Sequence, residues 1–171
     1  MEAQDEYGYT EKYFRRSSDY AKEGWYQRFD TQNRKVEEAY YLHDTLDGMR
    51  ILYYNSGDTM SVETYRKGAF EGPFRAYHEN GKKKAEGNYA ANAMSGVWLS
   101  YYTDGALKES VTFRDNAENG PFKEYHPNGK IKAEGSYLDG DNEHGELKIY
   151  DENGELLRTM ICNRGVCRTV K

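Results

Sequence analysis

Polar and apolar positions along this chain alternate in short runs, and the runs themselves recur about every 24 residues. Ile131, Ala133, Gly135 and Tyr137 take one side of a two-residue alternation, and Lys132, Glu134 and Ser136 take the other. One period earlier Leu107, Glu109, Val111 and Phe113 stand against Lys108, Ser110 and Thr112. Successive side chains of a strand point to opposite faces, so this pattern predicts strands with one packed and one wet face. Aligning on glycine gives starts at Gly24, Gly48, Gly72, Gly96, Gly120 and Gly145, four intervals of 24 residues and a last one of 25. Five residues after each start stands an aromatic: Phe29, Tyr53, Tyr77, Tyr101, Tyr125 and Tyr150. Seventeen after each stand Tyr41, Tyr65, Tyr89, Phe113, Tyr137 and Cys162.

Between the two strands of each period lies a turn signal. Asn80-Gly81, Asp104-Gly105, Asn128-Gly129 and Asn153-Gly154 are dipeptides that accept positive φ, and Ser56-Gly57 and Gln32-Asn33 fill the same place. Each period therefore reads as strand, tight turn, strand, then a loop to the next glycine. The fold class is all-β: six tandem hairpins over residues 24–162, between a cap segment at 1–23 and a cap strand at 163–171. A terminal strand exposes unpaired backbone, so the aromatic-rich segment 1–23 (Tyr7, Tyr9, Tyr13, Phe14, Tyr20) is expected to cover the first edge. A short helix around Glu11–Ala21 is the preferred form of that cap, an extended one the alternative. Ring positions two and five after the glycine, such as Trp98 and Tyr101, differ by an odd number. They fall on opposite faces unless a bulge intervenes, and the pattern leaves both readings open. A longer rhythm is also present. Gly72–Tyr89 and Gly120–Tyr137 are closely alike, whereas Tyr53-Tyr54 and Tyr101-Tyr102 mark the periods between, so pairs of hairpins 48 residues long are a candidate unit.

Composition changes the picture in one respect. A mean hydropathy of -1.06 would suit disorder, but 17 Tyr, 6 Phe and 2 Trp supply burial that disordered chains lack. Net charge is -5 with both signs interspersed, and Lys82-Lys83-Lys84 is flanked by Glu79 and Glu86, so no basic stripe suits nucleic acid. No apolar run reaches membrane-spanning length. The chain is expected to be soluble, either cytoplasmic or exported with its signal peptide removed.

Candidate chemistry is sparse. Cys162 and Cys167 flank a plausible turn, Asn163-Arg164-Gly165, and could form a disulfide or remain two thiols; they are too few for a zinc site. His78 and His126 recur 48 residues apart, too distant to share a metal, and His43 and His144 sit in loops. Glu38, Glu86 and Glu134 recur at one position, with Lys84 and Lys132 two residues from the last two, and read as charge ladders on the wet face. Asp139–Glu143 offers oxygens to calcium but reads as a solvated acidic turn. No catalytic residue, metal site or cofactor is expected. Tyr26, Phe74, Trp98 and Phe122, with Tyr54 and Tyr102, are the candidate binding residues. Exposed, they would form an aromatic ladder for an extended partner; packed, they would fill the core between hairpins.

The pattern Gly-x-Phe-x-x-Tyr-x-x-Asn-Gly-x-x-x-x-x-Gly-x-Tyr, clearest at Gly72–Tyr89 and Gly120–Tyr137, resembles the MORN-repeat variant of many bacterial proteins. The first copy departs from it at Asn33 and the sixth at Cys162. The resemblance implies a row of hairpins in an elongated, twisted open sheet. It implies roles in protein interaction, scaffolding or membrane-proximal attachment, and some such proteins are labelled antitoxins of the YwqK type. The expected function is therefore a non-enzymatic protein-interaction module, antitoxin-like in one form, with the partner unnamed and homodimerisation open. The alternative is a cell-surface or periplasmic carbohydrate binder that uses the aromatic rows.

Overall fold

The computed structural model describes residues 1–170 and shows strands and turns, with no helix among them. Strands β1 (Glu2–Gln4) and β2 (Thr10–Arg15) precede the first hairpin, β3 (Lys22–Phe29) with β4 (Lys35–Leu42). There follow β5 (Thr45–Tyr53) with β6 (Thr59–Arg66), the two-residue β7 (Ala69–Phe70), and β8 (Gly72–Tyr77) with β9 (Lys83–Ala90). Then come β10 (Ala93–Tyr101) with β11 (Leu107–Arg114), and β12 (Ala117–Tyr125) with β13 (Ile131–Tyr137). The series ends with β14 (Gly145–Tyr150), β15 (Leu156–Asn163) and β16 (Val166–Thr169). Neighbours in sequence are neighbours in one open antiparallel sheet, with β1 and β16 at the two ends of the order and β7 paired to β6 alone. Two compact units divide it: residues 1–82 with 89–92, and residues 83–88 with 93 onward.

Both kinds of connection are tight. Inside the hairpins a backbone bond closes the turn, as from Gly81 N to His78 O (2.9 Å) and from Gly129 N to His126 O (2.8 Å), and the closing residue is left-handed. Asn33 takes that role in the first hairpin with φ 60°, so the exchange of Gly for Asn keeps the geometry. The connections between hairpins, expected as loops, are also tight: pairs of successive left-handed residues such as Ala91-Asn92 and Asp115-Asn116. That is the geometry of the primed hairpin turn, whose twist suits antiparallel strands. These turns stack on one another. Gly68 N donates to Leu46 O (2.8 Å), Asn92 N to Phe70 O (3.0 Å) and Asn116 N to Met94 O (3.2 Å). Asn92 Oδ1 and Asn116 Oδ1 accept in return from Phe70 N and Met94 N.

The N-terminal segment corrects the expected helix. Residues 10–15 are extended, with Tyr13 opposite Tyr26 and Thr10 opposite Phe29, and β1 adds outside them. Pairing with β3 satisfies its edge directly, whereas a helix over 11–21 would leave those donors and acceptors unpaired. At the other end Cys162 and Cys167 are directly opposed on β15 and β16, with Cα atoms 4.0 Å apart, and are joined in a disulfide. Of the cap strand, Lys171 lies outside the described residues.

One face of each unit is packed by side chains of the sheet itself. In the C-terminal unit the core is Val111, Phe122, Ala133, Leu147 and Cys162, flanked by Phe113, Tyr137 and Met160. In the N-terminal unit it is Tyr13, Tyr26 and Ala39, flanked by Tyr41 and Leu46. Within a hairpin the ring two after the glycine meets the ring seventeen after it: Tyr26 on Tyr41 (5.4 Å), Phe74 on Tyr89 (5.9 Å), Trp98 on Phe113 (6.2 Å) and Phe122 on Tyr137 (4.2 Å). Such rings stabilise the sheet by about 1.5–3 kcal/mol each through burial, and four of the six hairpins contribute one such pair, the second and sixth having Arg50 and Leu147 at the first of the two positions.

Candidate functional site

The structure assigns the two aromatic columns to opposite faces. Trp98 lies on Gly87, while Tyr101 donates a hydrogen bond to the adjacent Glu86 (2.6 Å). Neighbouring residues of one strand face opposite ways, so Trp98 is on the packed face and Tyr101 on the wet one. The register shift between Ser100 and Tyr101 places the extra residue, Lys108, on the partner strand and leaves this alternation intact.

Tyr26, Trp98 and Phe122 are therefore core side chains, only 4%, 8% and 4% exposed, and not an open ladder. Phe74 is half-buried against Phe70 and Tyr89. Tyr54 and Tyr102 act as struts: each hydroxyl donates to the main-chain oxygen 23 residues on, Tyr77 O (2.6 Å) and Tyr125 O (2.7 Å). His126, one position beyond the column tyrosine, makes the equivalent contact with Tyr150 O at 3.1 Å. Four of the six candidate residues, Tyr26, Phe74, Trp98 and Phe122, stand in the column that the fold uses for packing, the second of the two readings the sequence left open, because a large ring is equally suited to either.

The recurring glutamates have more specific partners than a charge ladder. Glu38 accepts from Tyr53, Glu86 from Tyr101 and Glu134 from Tyr150. Lys35, Lys83 and Lys123 complete the three sites, while Lys132 goes instead to Glu124. Burial pushes the Glu38 carboxyl up, but hydrogen bonds from Tyr53, Lys35 and Gln27 outweigh it and hold the group below the usual carboxylate range. The reciprocal effect pushes the Tyr101 phenol up to about 12, through burial, the bond to Glu86 and its charge.

Besides Tyr7 and Tyr20, the exposed rings of the N-terminal unit lie in the column one after the glycine and its neighbours. Phe14 is 72% and Trp25 48% exposed, with Tyr40 and Met49 exposed beside them. Trp25 and Tyr40 are paired residues of β3 and β4 and meet edge to face at 5.7 Å. Tyr40 packs beside Gly48, whose missing Cβ would lie 3.2 Å from Tyr40 Cβ. An open cleft of about 550 Å³ adjoins Trp25, lined also by Met1, Lys12, Phe14, Gln27 and Glu38. A signal for this patch was present: positions one and two after the glycine must face opposite ways. If the second column packs, Trp25, Met49 and Val97 are on the wet face. In the C-terminal unit the exposed apolar side chains are aliphatic: Val97, Leu156, Leu157, Ile161, Val166 and Val170.

The packed face of the N-terminal unit also carries a polar break. Arg50 stands where four other hairpins place a ring and the sixth Leu147, and its guanidinium bonds Glu37 (2.6 Å) and Glu63 (3.3 Å). Tyr65 and Ser61 donate to the same Glu63. Burial alone would lower the Arg50 pKa, but the bond and charge of Glu37 reverse that and raise it. Each charge has a partner in this cluster, as burial requires.

Asp139–Glu143 forms a hairpin connection closed by Leu138 N to Asn142 O, and Asn142 Nδ2 turns back to Asp139 O. No group of His, Cys, Asp and Glu suited to a metal ion occurs among the described residues. Among the described residues no helix is long and apolar enough to cross a membrane.

Comparison with known proteins agrees with this geometry. The model of the MORN repeat variant matches residues 70–91, 94–115, 118–139 and 143–160. No curated protein matches the chain. The matched segments run from one inter-hairpin turn to the next, so each covers one hairpin of the sheet. Over residues 70–160 this chain carries four tandem repeats of the MORN repeat variant family.

Proposed function

We propose that the chain is a non-enzymatic interaction module that docks a protein partner on the wet face of its N-terminal unit. The observation that carries this reading is the contiguous Phe14, Trp25 and Tyr40 surface, with Met49 exposed on the next strand. The corresponding wet-face positions hold Pro73, Asn88, Pro121 and Ser136 in the third and fifth hairpins and Val97, Thr112, Glu146 and Ile161 in the fourth and sixth, none of them aromatic. Large exposed aromatics cost solubility, and in protein interfaces they are the residue types that contribute most per side chain. The rigid sheet beneath fixes their positions, so little conformational entropy is lost on docking. A toxin-neutralising role is one form of this reading, tested by whether co-expression with the product of a neighbouring gene relieves that product's toxicity.

The test is affinity capture with the wild-type chain, Trp25→Ser/Tyr40→Ser and Val97→Ser. The reading requires a partner held by the first and third and lost by the second. Capture unaffected by the double substitution contradicts it.

A carbohydrate ligand is the second reading, and the cleft beside Trp25 favours it. There Gln27 and Glu38, bonded to each other at 2.7 Å, set polar groups next to an exposed indole on which a sugar ring could stack. Glycan-array binding that is lost with Trp25→Ser would support this reading over the first.

A further inference from the structure

On the packed face of the N-terminal unit, away from the Trp25 surface, one ammonium group is surrounded by three rings. Lys22 Nζ lies 4.8 Å from the centroid of Tyr13, 4.8 Å from that of Tyr26 and 5.4 Å from that of Tyr41. Glu11 closes the fourth side, with Oε2 3.6 Å from the ammonium and Oε1 accepting from Tyr26 Oη at 2.8 Å. Arg15 sits at the rim, bonded to the Tyr13 hydroxyl at 3.0 Å, and the Glu37 carboxylate also acts on the Tyr26 and Tyr41 rings. All centroid distances fall within the range over which a cation is attracted to a ring face.

The walls and the occupant differ in rigidity. Tyr13 and Tyr26 are buried core residues, paired across β2 and β3, and Tyr26 and Tyr41 pack edge to face. Lys22 is the first residue of β3, follows a turn, and keeps a quarter of its side chain in solvent. Two residues before the glycine, the second to fourth hairpins place Leu46, Phe70 and Met94 and the fifth and sixth Glu118 and Glu143, and the apolar Leu46 and Phe70 pack on the rings of the packed face. Phe70 illustrates it, at 4.7 Å from Tyr65 and 4.1 Å from Tyr89. Only in the first hairpin is the occupant a cation and the surround three tyrosines with a carboxylate.

We propose that Tyr13, Tyr26, Tyr41 and Glu11 form a binding site for a trimethylammonium group, which enters by displacing Lys22. A primary ammonium is compact and strongly hydrated, so it gives up much solvation to sit among rings. A quaternary ammonium presents methyl groups to the ring faces and gives up less, while keeping the charge that the rings and Glu11 attract. Displaced, the flexible Lys22 side chain regains water and rotamer freedom. Lys22 is thus an intramolecular competitor that keeps the cage filled until a better cation arrives.

Calorimetric titration of the intact chain with tetramethylammonium tests this, using wild type, Lys22→Ala and Lys22→Ala/Glu11→Gln. Removing the competitor should tighten binding about tenfold, and losing the Glu11 charge should reverse much of that gain. Glu11→Gln keeps the packing of all three rings, and circular dichroism checks the fold of each variant. The uncharged carbon isostere of choline should not bind. A folded Lys22→Ala chain that binds tetramethylammonium no more tightly than wild type overturns the proposal, as does equal binding of the uncharged isostere. With the site upheld, free trimethyllysine and phosphocholine distinguish the source: tighter trimethyllysine points to a modified protein tail, tighter phosphocholine to a lipid headgroup.

Discussion

The phenol of Tyr101 donates a 2.6 Å hydrogen bond to the carboxylate of Glu86, one hairpin earlier. The same contact joins Tyr53 to Glu38 and Tyr150 to Glu134, so it recurs every second hairpin. In the hairpins between, the glutamate position holds Val62, Ser110 and Thr159, and Tyr54 and Tyr102 reach main-chain oxygens instead. The phenol–carboxylate link therefore follows the 48-residue rhythm, whereas the main-chain link also joins the fifth hairpin to the sixth through His126. The contact is titratable. The Tyr101 phenol is pushed up to about 12, so it favours the folded state below the ordinary tyrosine range near 10. That contribution is lost as pH rises from about 10 through about 12. Glu86→Gln should move one tyrosine back toward the ordinary range in a near-ultraviolet tyrosinate titration. Unchanged titration curves would mean that the bond does not persist in solution.

At the acid end the sign reverses. Hydrogen bonds from Tyr150 and Lys123 hold the Glu134 carboxyl below its usual range, and Glu38 behaves likewise. Their stabilisation is complete above the unfolded value of about 4.3 and disappears as pH falls through the lower folded value. Glu38→Gln/Glu134→Gln should flatten the loss of melting temperature below that point. An acid limb identical to wild type would contradict the assignment.

Gly87 shows where packing leaves no room. A Cβ there would lie 2.2 Å from Trp98 Cδ2, whereas at Gly135 the nearest atom, Phe122 Cε1, is 3.0 Å away. Gly87→Ala should cost about 1–3 kcal/mol by overpacking, more than Gly135→Ala. Trp98→Leu should remove most of the difference between alanine and glycine at position 87. Denaturant unfolding of the four-member cycle reads this directly, and additivity would contradict the contact.

Most of the fold was legible because it is written in repeated columns: the glycine starts, the turn dipeptides and the alternation in strand two each specify local geometry. The faces were less so. A ring at position two is compatible with packing or display, and only the small residues opposite it, such as Ala39, Gly87 and Gly135, show which. The cap at 1–23 was misjudged for a related reason. It lies outside the frame, and its aromatic spacing fits a helix as readily as the extended strand that β3 imposes. Arg50, by contrast, could have been found as a charge standing in an aromatic column.

Reduction should loosen the end of the sheet first. Cys162 and Cys167 join β15 to β16 across a short loop, a constraint of about 2 kcal/mol by chain-entropy reckoning. Hydrogen exchange with and without reductant should show faster exchange in Val166–Thr169 while the β10–β11 hairpin is unchanged. Uniform acceleration throughout would contradict a local clamp.

The two tryptophans test the division into faces most directly, because one lies on each. Trp25 is 48% exposed and Trp98 is 8% exposed. In the single-tryptophan chains Trp98→Phe and Trp25→Phe, fluorescence with a soluble collisional quencher reads each indole alone. Red-shifted, readily quenched emission from Trp25 and blue-shifted, protected emission from Trp98 is the predicted result. Equal protection of both, or a protected Trp25, would contradict a wet-face aromatic surface and with it the docking role assigned to that face.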